Sequence, residues 1–170
     1  MRPEWSLPVV AARIPAAGQD VAAEADAATR AAVAARLGLP AIGALGFTLR
    51  LVPQAGGSVA ATGRLDARLT QICVVTLEPF ESDVSIPLDL RFVADPAEED
   101  DLDPDAPDEI AMEAGVLDAA EAAVQSLSLA LDPYPRAPGA ALPAEAGGEA
   151  GSEPPHPFAA LAQRNRGGNA

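Results

Sequence analysis

His156 and Cys73 are the only histidine and the only cysteine of the chain, and between them they bound the chemistry it can carry. His156 lies between Pro155 and Pro157, in a stretch with nothing to hold an imidazole. A Ser-His-Asp or Cys-His arrangement needs the ring fixed within hydrogen-bond reach of a nucleophile, so neither is expected. A structural zinc site needs four nitrogen or sulfur ligands, more than one histidine and one cysteine supply. The carboxylates between Asp95 and Glu109 lack the spacing and turn glycine of an EF-hand, leaving only weak, nonspecific cation binding. Gly56, Gly57 and Gly63 are isolated, and the chain has no lysine, so no glycine-rich phosphate loop ending in lysine is present. Cys73 sits in a strand-like apolar run, where a thiol is either inert packing or a reactive group. The expectation is a protein without catalytic residues, cofactor or metal: not an enzyme, but a binder of a macromolecular partner.

Composition narrows the partner. The chain has 170 residues, a net charge of -14 and 11 basic side chains, all arginine. Such a chain lacks the clustered basic footprint of a nucleic-acid binder; it repels phosphate and attracts basic proteins. A lone cysteine fits a reducing compartment. Pro8, Arg13 and Pro15 break any apolar run after Met1, which argues against a secretory signal, and no run approaches the roughly 18 to 20 apolar residues that span a bilayer. A cytoplasmic protein without membrane contact is expected.

The elements that would position any contact follow from periodicity. Trp5, Leu7 and Val9 alternate with Ser6 and Pro8 as in an edge strand. Asp26 is an N-cap for a helix over 27–37, which Gly38 and Pro40 end. Phe47, Leu49 and Leu51 mark a strand from Leu45. After turn residues 53–57, Val59, Ala61, Leu65, Ala67 and Leu69 form a longer one, with the same parity running on through Cys73, Val75 and Leu77. Pro79 interrupts, and Val84, Ile86, Leu88, Leu90 and Phe92 resume on even positions. A second helix carries Leu117, Ala120, Val124, Leu127 and Leu131, with Asp118 and Glu121 at capping-box-like spacing. Asp132-Pro133-Tyr134-Pro135 ends it. The fold class is therefore α+β: an antiparallel meander, either an open sheet or a partial barrel, covered by two helices. One domain over 1–136 is expected, followed by a disordered Ala/Gly/Pro-rich tail over 137–170 with a short apolar patch at 158–161.

Two groups of charges are candidate contacts. The segment over about 95–109, with Glu98, Glu99, Asp100 and Asp101 and three prolines, self-repels and reads as a flexible acidic loop. It is either a solvated insertion or a segment that binds a basic partner. Arg50, Arg64, Arg68 and Arg91 lie on the outward face of the strands. They form either a basic patch able to touch RNA or ordinary solvated residues paired with Asp66 and Asp89.

Several stretches carry a family likeness: Trp5-Ser6-Leu7-Pro8-Val9, Arg36-Leu37-Gly38-Leu39-Pro40, Gly63-Arg64-Leu65-Asp66-Ala67-Arg68, and Thr70-Gln71-Ile72-Cys73-Val74-Val75-Thr76-Leu77-Glu78-Pro79. To these add Leu127-Ser128-Leu129-Ala130-Leu131-Asp132-Pro133-Tyr134-Pro135-Arg136 and Pro157-Phe158-Ala159-Ala160-Leu161. In this order they resemble the YceD family, most closely its alphaproteobacterial branch. The Cys-x-x-Thr-Leu-Glu-Pro and Leu-Ala-Leu-Asp-Pro-Tyr-Pro-Arg pieces are the most specific, and Tyr134 and Arg136 of the latter join the candidate contacts. The resemblance implies a role in accumulation or processing of large-subunit ribosomal RNA, hence in ribosome biogenesis, without an established enzymatic activity. With the acidic charge, it leads to the expectation of a basic ribosomal protein or a large-subunit precursor particle as partner. Direct RNA contact through the arginines is the alternative. Many members of that family carry a Cys-x-x-Cys pair near the position of Cys73 and a C-terminal cysteine cluster; here Thr76 stands in that neighbourhood and no C-terminal cysteine follows.

Overall fold

The structure is a computed structural model that describes residues 3–94 and 107–141. Contacts divide the chain into a unit over Met1–Ala137 and a second over Pro138–Ala170; of the second, only the start is described, with a turn at Pro138–Gly139.

The first unit is α+β. Its strands are β1 (Pro8–Val10), β2 (Gln19–Glu24), β3 (Ala41–Pro53), β4 (Val59–Ile72), β5 (Pro79–Val93), β6 (Asp108–Ala111) and β7 (Val116–Asp118), and its helices are α1 (Ala27–Leu37) and α2 (Ala119–Ala130). Five strands form one open sheet in the order β2-β3-β4-β5-β6, while β1 and β7 make a separate antiparallel ribbon. Strands β3 to β5 are the expected antiparallel meander, and β2 adds an antiparallel edge to it.

Alternation explains the long strands. Leu45, Phe47, Leu49 and Leu51 of β3, Val59, Ala61, Leu65, Ala67 and Leu69 of β4, and Leu88, Leu90 and Phe92 of β5 are all buried. Period-two side chains thus line one face, and that face meets Val33 of α1 and Ala120, Ala123, Val124 and Leu127 of α2 in a single core. Trp5 packs edge-on against Phe47, with ring centroids 5.3 Å apart, which anchors the N-terminal segment over the sheet.

Both helices start where capping requires. Asp26 accepts from the Thr29 N–H at 2.7 Å, and Gly38, in the left-handed region at φ 67, closes α1. Asp118 caps α2 by accepting from the Glu121 N–H at 3.1 Å while also accepting from the Leu7 N–H at 2.9 Å, so one carboxylate ties the β1 side of the ribbon to the helix.

Four features depart from the expectation. β3 begins at Ala41 rather than Leu45, crossing a register shift between Ile42 and Ala44. β2 was hidden because its large apolar content is only Val21; it forms as an edge on β3. The parity beyond Ile72 does not extend β4: Cys73 to Glu78 turn instead. Finally, Asp108 and Glu109 belong to a strand rather than to the acidic loop, and β6 runs parallel to β5. A parallel neighbour needs a crossover of about a dozen residues or more, and residues 94–107 supply that connection between Val93 and Asp108.

Arg36, in the last turn of α1, donates to Glu4 at 2.9 Å and to Glu121 at 2.7 Å, linking the N-terminal segment, α1 and α2. The hydrogen bonds from Arg36, and then that from Gln125, hold the Glu121 carboxyl below its ordinary value of 4.5. Its stabilising contribution is therefore complete above that value and lost as pH falls through the acid range. Replacing Arg36 by Leu should lower stability at neutral pH by about 0.5–1 kcal/mol and flatten the acid limb. Urea midpoints at neutral pH and below pH 4 would check it; an unchanged acid limb would refute this account of the network.

Candidate interaction surface

The chain from Cys73 to Glu78 closes on itself. The Leu77 N–H donates to the Cys73 carbonyl and the Cys73 N–H to the Glu78 carbonyl, both at 2.9 Å. The closure forces Leu77 to φ 59, a left-handed conformation that costs an L-residue roughly 1–2 kcal/mol and that glycine adopts freely. The leucine side chain gains little in return from the described residues, being 76% exposed.

A second segment meets this turn. After α2 the chain bends at Leu131 and again at Pro133–Tyr134, where the Tyr134 N–H donates to the Asp132 carboxylate, and the Val74 N–H donates to the Pro135 carbonyl at 2.9 Å. The two most specific sequence pieces, about 60 residues apart, are thereby joined. Around the junction Ile72 is 42%, Val74 41% and Tyr134 71% exposed. A cavity of about 460 Å³ opens between the segments, lined by Leu37, Leu39, Ile72, Val74, Leu77, Leu131 and Pro135 among others. Glu78, Asp132 and Arg136 are exposed on the same two segments, giving an apolar surface with charged neighbours, the pattern of a protein-binding site.

Cys73 lines the cavity but is itself buried. The Thr76 hydroxyl, followed by backbone N–H groups of Ala137, Thr76 and Val75, pulls its thiol down to about 7. Among the described residues no group of three or more His, Cys, Asp or Glu side chains is placed to hold a metal ion. With Thr76 hydrogen-bonding the thiol, the turn does not supply the second sulfur ligand of a metal-holding version, so the residues present do not fit one.

The candidate arginines fall on the outward face of the sheet, each beside a carboxylate. Arg50 meets Asp20 at 2.9 Å, Arg64 meets Asp66 at 3.1 Å, Arg68 meets Asp83 at 2.9 Å and Arg91 meets Glu109 at 3.5 Å. Strand registers place these four with seven carboxylates, Asp20, Glu24, Asp66, Glu81, Asp83, Asp89 and Glu109. The face is thus net acidic. Tyr134 and Arg136 sit at the junction described above, away from the sheet arginines in sequence. Glu98, Glu99, Asp100 and Asp101, with the 158–161 patch, lie outside the described residues.

A family model described as Large ribosomal RNA subunit accumulation protein YceD matches residues 61–163. The chain belongs to the YceD family. The family name ties it to the accumulation of large-subunit ribosomal RNA, and the matched span contains both segments of the junction. Comparison with curated proteins returned no match, and neither did comparison with solved structures. Among the described residues of this YceD-family chain, no helix is long and apolar enough to cross a membrane.

Sequence reasoning missed Leu77 as a surface residue, because alternation assigned it to the core parity of β4, and it passed over Ile72 and Val74, which that alternation left on the outward face, as contacts. Pro79 was the available signal: it marked the end of a ladder but not the tight turn just before it.

Proposed function

We propose that this protein is a non-catalytic cytoplasmic factor that supports accumulation of large-subunit ribosomal RNA by holding a protein of the large-subunit precursor against the 72–77 and 131–135 junction. Leu77 carries the reading. An exposed leucine in a backbone conformation better suited to glycine is disfavoured twice within its own fold, and a partner that buries it offsets both terms. The -14 charge of the chain selects a basic partner, and ribosomal proteins have that chemistry. Direct RNA contact through the sheet has less support, because phosphate would have to displace the carboxylates that already hold the four arginines.

A non-catalytic role leaves Cys73 without a chemical task. Cys73→Ser should therefore restore large-subunit RNA to cells lacking the protein as fully as the native chain; loss of function with retained folding would revive a thiol mechanism. The reading itself is tested by depleting the protein and measuring the ratio of large- to small-subunit ribosomal RNA with precursor lengths. A selective fall in large-subunit species, reversed on re-supply, is expected, whereas an unchanged ratio would overturn it.

A further inference from the structure

Among the described residues the outer edge of β5 is open over most of its length. On one side β5 pairs with β4 from Pro79 to Phe92; on the other, among the described residues, only Leu90–Val93 are paired, with β6. The stretch from Pro79 to Asp89 presents about 35 Å of strand edge at roughly 3.3 Å per residue, a template for another chain.

The residue types that precede β6 in sequence are poorly suited to continue its ladder along this edge. Extending the β5–β6 register backward would set Pro107 opposite Asp89 and Pro104 opposite Ile86; the two prolines are an odd number of residues apart, so one of them would face β5 without a ladder donor. It would also set Asp101 opposite Asp83 and Glu99 opposite Glu81, like charges directly opposed. The same acids give a second copy of this chain no opposite charge to meet at the edge. What they favour is a strand of opposite charge.

Where β6 begins, a cavity of about 230 Å³ flanks the edge, lined by Ile86, Leu88, Asp89, Asp108 and Leu129 among others. Leu129 is 82% exposed. The Asp108 carboxylate, which pairing with Leu90 places on the same face as these apolar walls, makes the cavity fit the aliphatic stem and charged head of a lysine or arginine.

We infer that the open β5 edge receives an extended lysine- and arginine-rich segment of a partner protein by strand addition. Main-chain hydrogen bonds to the edge supply affinity, and the Ile86–Leu129 cavity with Asp108 reads one cationic side chain. This inference rests on the proposed partner being a basic protein, and it adds a second contact to the junction around Leu77.

The test uses the full chain and a peptide of about ten residues alternating valine with lysine or arginine. Hydrogen exchange should show new protection among the amides of Phe80–Asp89 on peptide addition. A peptide of equal charge N-methylated along one edge should bind at least about tenfold more weakly, and Asp108→Asn should weaken the unmodified peptide by roughly threefold or more. Equal binding of the methylated peptide, no binding, or the same protection produced by homopolymeric RNA or by self-association would overturn strand addition. Those outcomes would leave the RNA-accumulation role to the depletion experiment, which does not depend on this edge.

Discussion

Gly63→Ala should destabilise the protein by about 3 kcal/mol or more, lowering the melting temperature by roughly 10 °C or preventing folding. A Cβ at Gly63 would stand 2.0 Å from the Thr48 carbonyl oxygen and 2.9 Å from the Leu49 Cα. Both are backbone atoms, so no flexible side chain can yield. Gly63 pairs with Leu49 on one side and Leu88 on the other, so shifting either strand drags buried leucines out of the core. Gly56→Ala is the control: it lies at φ 78 with nothing within 4 Å of an added Cβ, and should cost only about 1–2 kcal/mol. Thermal and urea unfolding of the two variants decide the matter, and a Gly63→Ala protein within 1 kcal/mol of the native chain would contradict the close approach.

Leu77→Gly should separate function from stability in the opposite sense. Glycine relieves the left-handed strain at φ 59 and removes an exposed apolar side chain, while its greater freedom in the unfolded chain takes back part of the gain. Stability should stay level or rise by up to about 1 kcal/mol. Function should fall, because the side chain that the partner would bury is gone; burial of a leucine at an interface is worth about 2 kcal/mol, a roughly thirtyfold loss of affinity. In cells depleted of the protein, Leu77→Gly should then fail to restore the large-subunit RNA ratio that the native chain restores. Full restoration would remove the central support for the junction as a docking surface.

The contrast between these two positions shows what was legible in the sequence. The helices were, almost to the residue, because Asp26, Gly38 and Asp118 are local signals whose chemistry acts within one turn. The long strands were legible from alternation, since a half-buried sheet imposes period two on its side chains. β2, β6 and β7 were not: they are short, poor in large apolar residues, and formed by partners supplied from distant parts of the chain. The parallel pairing of β6 escaped for the same reason.

The surface was less legible than the fold. Tyr134 and Arg136 were singled out by likeness alone, and the structure places them beside a turn that alternation had assigned to strand. The exposed arginines were visible, but each carboxylate partner other than Asp66 lies on a neighbouring strand or edge. Their neutralisation therefore appears only once registers are known. Cys73 reads as a packing residue in sequence and is buried in the structure, yet the turn that follows it, not the thiol, is what faces outward.

The most direct measurement places a photo-cross-linking amino acid at position 77 of the full chain in cells and identifies what it captures during ribosome assembly. Capture of a basic protein of the large-subunit precursor, lost when the probe is moved to the exposed Ala12, is the expected result. Capture of ribosomal RNA alone, or of no precursor component in cells whose large-subunit RNA is normal, would contradict it.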